Sequence, residues 1–364
     1  MRENEHVTRI HDTNYRGFAS DNYAGVHPEV LAALADANGG HQIAYGEDQY
    51  TARLTEVVKA EFGEQAECFP VFNGTGANVT ALTALMPRWG SVIASSTAHI
   101  HTDEAGAPER VSGLKLLLVG TPNGKLTPEL IATEAWGWGD EHRPQPLAVS
   151  ITQTSELGTL YTPDEIRAIA DYCHEHGMAL HLDGARIWNA AAALGTTFRA
   201  FTTDAGVDIL SLGGTKNGLI GAEAVVAIDP AKAPGLIYLR KMNMQLASKM
   251  RFTSAQLLAL FDEGLGIRSA MHANAMAARL RSGLEGMLAA GDVPADSLGF
   301  SQQTQANAVF ALLANDAADR IRERVRFYDW DRARGEVRWM CAFDTTEADI
   351  DAFIEIVRDE LNRH

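Results

Sequence analysis

Val207-Asp208-Ile209-Leu210-Ser211-Leu212-Gly213-Gly214-Thr215-Lys216-Asn217-Gly218 runs from an apolar segment into a cluster of small residues with a lysine inside it. Upstream, His181-Leu182-Asp183-Gly184-Ala185-Arg186 closes a second apolar run, again on a charged residue followed by glycine. Apolar runs of this kind read as strands covered on both faces, where polar alternation is not needed. Asp183 and Lys216 then stand at strand ends.

Outward from this pair, residues from about 69 to 228 alternate short apolar runs with amphipathic helical patterns. The strand candidates are 91–95, 114–119, 147–152, 179–182, 208–212 and 224–228. Thr162-Pro163-Asp164-Glu165 starts a helix with a capping threonine, a first-turn proline and a glutamate at the capping-box position. Thr127-Pro128-Glu129 repeats the first two signals. Strand and helix in turn imply a mainly parallel sheet covered by helices. Beyond about Arg251 the pattern changes. Residues 257–288 read as one long alanine-rich helix; 306–313, 325–330 and 336–343 read as strands with short connections, suited to an antiparallel sheet. Thr346 caps a last helix with Phe353, Val357 and Leu361 on one face. The expected organisation is a large domain over 15–250 and a small α+β domain over 251–364, with the 1–14 arm packed on the latter.

The chain has 364 residues, 46% of them hydrophobic, enough for a sizeable core and against disorder. A formal net charge of −16 disfavours nucleic acid and anionic membrane as main partners. Cys68, Cys173 and Cys341 are widely spaced and odd in number, with no disulfide framework or CxxC motif, so a reducing compartment fits. The first fourteen residues are polar, without the apolar core of a signal peptide, and no apolar run is long enough to span a bilayer. The expected setting is the cytoplasm.

A lysine that forms a Schiff base and an aspartate that keeps a pyridine nitrogen protonated are what pyridoxal phosphate chemistry requires, and Lys216 and Asp183 are such a pair. Asp183 taken alone equally reads as a cap or turn residue. Arg186 is placed to reach the ring's phenolic oxygen, or is a surface arginine. Lys216, between Gly213, Gly214, Gly218 and Gly221, has neighbours small enough for a flat ring to lie against the backbone. Partial desolvation would lower its pKa and make it nucleophilic. Asn73-Gly74-Thr75-Gly76-Ala77-Asn78 follows an apolar segment and opens a helical pattern, a turn whose N–H groups and helix dipole suit a phosphate. By itself it is a tight turn before a core helix. The pairs His99/His101 and His174/His176 lack a third ligand with motif spacing, which rejects a zinc site.

With Phe18-Ala19-Ser20-Asp21-Asn22, Ala44-Tyr45-Gly46-Glu47-Asp48, Thr97-Ala98-His99 and the stretches above, the chain resembles the L-threonine aldolases of the β-eliminating lyase group, from about Phe18 to the final helix. The resemblance implies the aspartate-aminotransferase-like fold (fold type I): a large, mainly parallel seven-stranded sheet domain and a smaller α+β domain. It implies pyridoxal 5′-phosphate held by Lys216, Asp183 and Arg186, with Gly74, Thr75 and Gly76 at the phosphate and Arg251 reaching the phosphate of a neighbouring subunit. His99 would stack on the ring near the substrate hydroxyl, a position suited to a base. Ser20 and Arg338 would clamp the substrate carboxylate, and Tyr45 and Asp103 would also contact substrate. Asp103 equally reads as a solvated charge at a helix start, and no role is assigned to His101. A homotetramer, a dimer of dimers with shared sites, is implied as well.

One departure bears on specificity. A second histidine common in the family should fall near Ser155, where this chain reads Thr152-Gln153-Thr154-Ser155-Glu156. The preference between threonine and allo-threonine therefore stays open. The expected reaction is cleavage of L-threonine, L-allo-threonine and other β-hydroxy-α-amino acids to glycine and an aldehyde. Carboxylate fixation sets the Cα–Cβ bond perpendicular to the ring, so that this bond breaks. The rivals are a phenylserine aldolase or another β-eliminating lyase and, outside enzymes, a silent fold relative serving as a binding protein.

Overall fold

The computed structural model describes residues 10–363. Of the arm expected to pack on the small domain, residues 1–9 lie outside the described residues, and 10–14 are exposed. Seven strands form the main sheet: β1 (Glu67–Val71), β2 (Gly90–Ser95), β3 (Lys115–Val119), β4 (Gln145–Thr152), β5 (Ala179–Gly184), β6 (Ile209–Leu212) and β7 (Glu223–Ala227). Their spatial order is β1-β7-β6-β5-β4-β2-β3. From β6 across to β3 every pairing is parallel, while β7 runs antiparallel to both β6 and β1. Strands β2, β5, β6 and β7 are buried at every residue, which is why their sequences lack alternation. Between them, Thr162 accepts a hydrogen bond from Glu165 N–H and Glu165 reciprocates, starting the Pro163–Glu175 helix as its sequence predicts.

The second sheet is wholly antiparallel. It comprises β8 (Leu298–Phe300), β9 (Ala308–Leu313), β10 (Tyr328–Asp331) and β11 (Glu336–Met340), in the order β10-β11-β9-β8. Besides β1 and β8, which are not among the strands named from the sequence, two details differ from the sequence-based expectation. The connection from β9 to β10 is not short; it contains the helix Asn315–Arg324, whose charged outer face hides three buried residues, Ala317, Ala318 and Ile321. The long helix expected over 257–288 is two, Met250–Phe261 and Leu265–Ala290, broken where Glu263 (φ 46°) and Gly264 (φ 68°) turn left-handed.

Each sheet supports its own core. Ile93, Val149, Leu182, Leu210 and Trp188 belong to the core beneath the main sheet, which continues through Leu257 and Leu260 to Ala270. The other core begins at Met276 and gathers Leu280, Leu284, Val309, Trp339 and Phe353. The Leu265–Ala290 helix thus serves both. Phe18 joins the second core: its ring stacks on Phe353 at 4.3 Å, and its backbone bonds to Arg326 and Met340. This anchor carries the following residues, Ser20 and Asp21, to the boundary between the sheets.

Candidate active site

At that boundary the carboxyl ends of the parallel strands face β10 and β11 across a cleft of about 940 Å³. Six residues singled out from the sequence line it: Ser20, His99, Asp103, Arg186, Lys216 and Arg338. Thr97, Glu156, Tyr328 and Trp330 line it as well; the sequence reading gave none of them a role, although Thr97 and Glu156 stand in stretches it quoted. A separate groove of about 630 Å³ between the helices Pro28–Ala37, Gln49–Phe62 and Met250–Phe261 contains none of the expected residues.

Lys216 stands in a single helical turn, Thr215–Asn217, directly after β6. Glu223, the first residue of β7, accepts hydrogen bonds from the N–H groups of Gly214 (2.8 Å) and Thr215 (3.2 Å), fixing that turn from below. Burial raises the Glu223 carboxyl above its ordinary range against the pull of these donors. Two of the glycines have a backbone reason of their own. A Cβ on Gly213 would meet the Ala185 and Gly184 carbonyl oxygens at 2.6 and 2.7 Å, and one on Gly214 would meet Ala222 O at 2.5 Å. At Gly218 (φ +92°) the neighbour is the His27 ring.

Asp183, 3% exposed, ends β5 one strand away. Its Oδ1 accepts from Ala185 N–H at 3.0 Å and its Oδ2 from the Asn78 amide at 3.0 Å. His181, two residues earlier, is a satisfied core histidine: Ser150 and Ser211 hydroxyls bond its two ring nitrogens, and burial lowers its pKa to about 4.

Arg186 is gripped by Asp21, with Nε donating at 2.7 Å and Nη2 at 3.0 Å. Burial works to raise the Asp21 carboxyl, but the Arg186 charge prevails and holds it at about 2. Arg186 Nη1 is left on the cleft side, 4.0 Å from Glu156. Arg338 on β11 lies 4.0 Å from the other Glu156 oxygen, with its guanidinium carbon 5.2 Å from the Trp330 ring centroid. Burial and the neighbouring Arg186 push the Arg338 pKa down from its ordinary value. Its Nε and Glu156 Oε1 are buried without a hydrogen-bond partner. Glu156 thus occupies the cleft wall near the expected second histidine, while Ser155 turns away to bond Thr159 (2.6 Å).

His99 opens the short helix His99–Thr102 after β2, and Asp103 follows on the same turn, its N–H bonded to His99 O. The His99 Nδ1 lies 2.8 Å from Glu104 Oε1, and this bond raises the imidazole pKa against the effect of burial. His101, at the same turn, is exposed.

The remaining expected residues lie elsewhere. Gly74, Thr75 and Gly76 begin the helix Gly74–Leu85, capped by Asn73, whose Oδ1 accepts from Gly76 N–H at 2.7 Å. Space is open beside Gly74, whereas the Gln245 side chain covers Gly76 and takes a bond from Phe72 N–H. Tyr45 (φ 62°) and Arg251 are outside the cleft of their own chain. Tyr45 is half exposed, and Arg251 donates to Gly40 O at 3.2 Å.

A lysine, a buried carboxylate, an imidazole and a guanidinium gathered at one cleft of an α/β sheet define the class: an enzyme site. The chain belongs to the β-eliminating lyase family, which matches residues 17–310. It is 46% identical over 344 residues to the low specificity L-threonine aldolase of Pseudomonas aeruginosa, covering 94% of this chain and 96% of that protein. The low specificity L-threonine aldolase of Pseudomonas sp. (strain NCIMB 10558) is 45% identical over 91% of this chain and 94% of its own. Among solved structures, the threonine aldolase of Leishmania major superposes with a TM-score of 0.86 at 27% identity, covering 94% of this chain and 99% of that one.

Proposed function

We propose that the cleft cleaves L-threonine, L-allo-threonine and related β-hydroxy-α-amino acids between Cα and Cβ, yielding glycine and an aldehyde, with pyridoxal 5′-phosphate as cofactor. The observation that carries this reading is that Lys216, His99 and Arg338 line one cleft with the Asp183 carboxylate buried behind it. The donor set fits the cofactor. Lys216 would hold it covalently, Asp183 would face its ring nitrogen, Arg186 Nη1 its phenolic oxygen, and the open helix start at Gly74 and Thr75 its phosphate. When bound there, the cofactor supplies an electron sink for the bond that breaks.

The chain's own groups do the rest. Arg338 and Ser20 hold the substrate carboxylate, which fixes rotation about the Cα–N bond and selects Cα–Cβ for cleavage. His99 takes the β-hydroxyl proton. The lining also includes Thr97 beside His99 and Tyr328 and Trp330 on β10, a mix of polar and aromatic groups that suits aldehydes of varied size. Cleavage at the β-carbon therefore tolerates many substituents, because the grip falls on the amino acid end.

The assembly inferred is a homotetramer in which Arg251 and Tyr45 serve a neighbouring subunit's site. In support, both lie outside their own cleft, and their face exposes Ile237, Tyr238, Met242 and Met244. The pure protein incubated with each of L-threonine, L-allo-threonine, phenylserine and tyrosine should release equimolar glycine and aldehyde from the β-hydroxy substrates, and Lys216→Ala should abolish this release. Pyruvate and ammonia in place of glycine would refute the reading.

A further inference from the structure

Two buried polar side chains beside the cleft have no part in the roles above: Asn78, 2% exposed, and Glu104, 4% exposed. Glu104 Oε1 accepts two hydrogen bonds, from His99 Nδ1 and from Asn78 Nδ2, each 2.8 Å long. Asn78 Nδ2 also donates to Asp183 Oδ2 at 3.0 Å. One amide therefore spans two carboxylates with its two N–H bonds. The orientation follows from chemistry, because the flipped amide would set its oxygen against both carboxylates. Three separate elements meet here: the helix after the glycine turn brings Asn78, the end of β5 brings Asp183, and the loop after β2 brings His99 and Glu104.

This arrangement is a poor way to gain stability. The Glu104 side chain has no solvent exposure, and its Oε2 has no hydrogen-bond partner. A buried carboxylate satisfied on one oxygen alone is a net cost to folding compared with a neutral group of the same shape. The loop behind it is itself strained: Ala105 takes φ 51°, left-handed without being glycine, followed by Gly106 at φ 70°. The fold holds this carboxylate inward at its own expense, and what Glu104 reaches there is the inner nitrogen of His99.

We infer that Asp183, Asn78, Glu104 and His99 form one hydrogen-bonded relay, in which Glu104 keeps the proton of neutral His99 on Nδ1 and frees Nε2 as the acceptor for the substrate's β-hydroxyl proton. Glu104 and Asn78 are positioning residues: Glu104 acts through His99, and Asn78 locks that carboxylate to the one assigned to the ring nitrogen. The inference rests on the reading of His99 as the base. As the Cα–Cβ pair passes to Cα and the aldehyde C=O forms, the oxygen's proton goes to Nε2. Cα gains one proton to complete glycine, so the reaction balances without a co-reactant. Glu104 remains ionised and stabilises the imidazolium, as the acid of a hydrolase triad does.

His99 faces four charged groups: Glu104, Glu156 and Asp183, which favour its protonated form, and Lys216, which opposes it. Neutral His99 is the active base, so kcat/KM falls as pH drops through its pKa. With Glu104 replaced by leucine, that acidic limb moves to lower pH, while the plateau kcat falls because no acceptor then holds the ring proton on Nδ1 and the neutral ring places it on Nε2.

The test is Glu104→Leu, with Asn78→Ala alongside, in the holoenzyme labelled with ¹⁵N-histidine and with the His99 signals assigned by their loss in His99→Asn. Wild-type His99 should titrate above an ordinary imidazole and carry its neutral-form proton on Nδ1. In Glu104→Leu the titration should move down, the tautomer should switch, and kcat should fall about 100-fold with KM within about threefold. Its melting temperature should hold or rise. Asn78→Ala should shift both the His99 titration and the cofactor's visible absorption. An unchanged tautomer and titration in Glu104→Leu, or a rate loss accompanied only by lowered melting temperature, would overturn the relay. Wild-type turnover by His99→Asn would instead overturn the base role, and the nitrogen spectra keep that failure separate from the first.

Discussion

Arg338 shows what a single side chain contributes and what surrounds it. Its guanidinium is nearly buried, and its closest partners are Glu156 at 4.0 Å and Ala19 O at 3.4 Å, both loose contacts. A cation so weakly paired in a cleft is available to a substrate carboxylate. Its bidentate fork suits that task, and a lysine there would supply charge without the geometry. Arg338→Ala should raise KM for L-threonine about 10- to 100-fold, the worth of hydrogen bonds to a charged group. Arg338→Lys should recover only part of the loss. Steady-state kinetics at several pH values would check this, and an unchanged KM would move the clamp elsewhere. Sequence reading singled out Lys216 by its glycine-rich strand end, and His99 and Arg338 through the family resemblance. It gave no role to Asp21, Asn78, Glu104 and Glu156, although the first two and the last stand in stretches it quoted, because their meaning comes from partners elsewhere in the chain.

The elements repeat this lesson one level up. Strands buried on both faces and helices with capping boxes were legible, because burial and capping leave a local mark at Leu210 or Thr162. The break at Glu263 and the helix Asn315–Arg324 were not. The alanine-rich run around the break reads as continuous, and a helix with few buried residues has a weak apolar stripe. The glycines after β6 were legible as special, and the structure adds a backbone constraint at Gly213 and Gly214 that no local pattern shows. Gly213→Ala forces a Cβ against two carbonyl oxygens, at 2.6 and 2.7 Å. It should cost about 1–3 kcal/mol and lower activity by shifting the Lys216 turn. Gly74→Ala, with open space around it, should change stability by less than about 0.5 kcal/mol. Chemical denaturation of the two variants would compare them, and equal losses would show that the β6 turn is not backbone-limited.

At the scale of the whole molecule, the two halves are joined by the shared Leu265–Ala290 helix, by Leu157 packed against Phe310 and Met340, and by polar ties. Asp21 accepts from Arg186 behind the main sheet and, at 3.1 Å, from Asn307 beside the small one, so the segment after Phe18 fastens both halves to the cleft. Among the described residues no helix is long and apolar enough to cross a membrane. The assembly proposal is testable through catalysis. Lys216→Ala and Arg251→Ala variants, each impaired as a pure assembly, should recover activity when dissociated and reassembled together, because a mixed interface builds one intact site. Mixtures that stay at the sum of their separate rates would confine Arg251 to its own chain.

Sequence alone determined most of the alternation of strands and helices, the charged residues at two strand ends and the chemistry those residue types allow, because periodicity, caps and glycine clusters act over a few neighbours. Only the tertiary structure decided which charges meet. Asn78 lies between Asp183 and Glu104, Asp21 grips Arg186, and Glu156 stands between two guanidiniums because sheet order and the crossing of two cores bring distant segments together. Where Asp21 meets Arg186, the buried charge pair holds the Asp21 carboxyl down, a consequence of excluded water that no local stretch of the chain records.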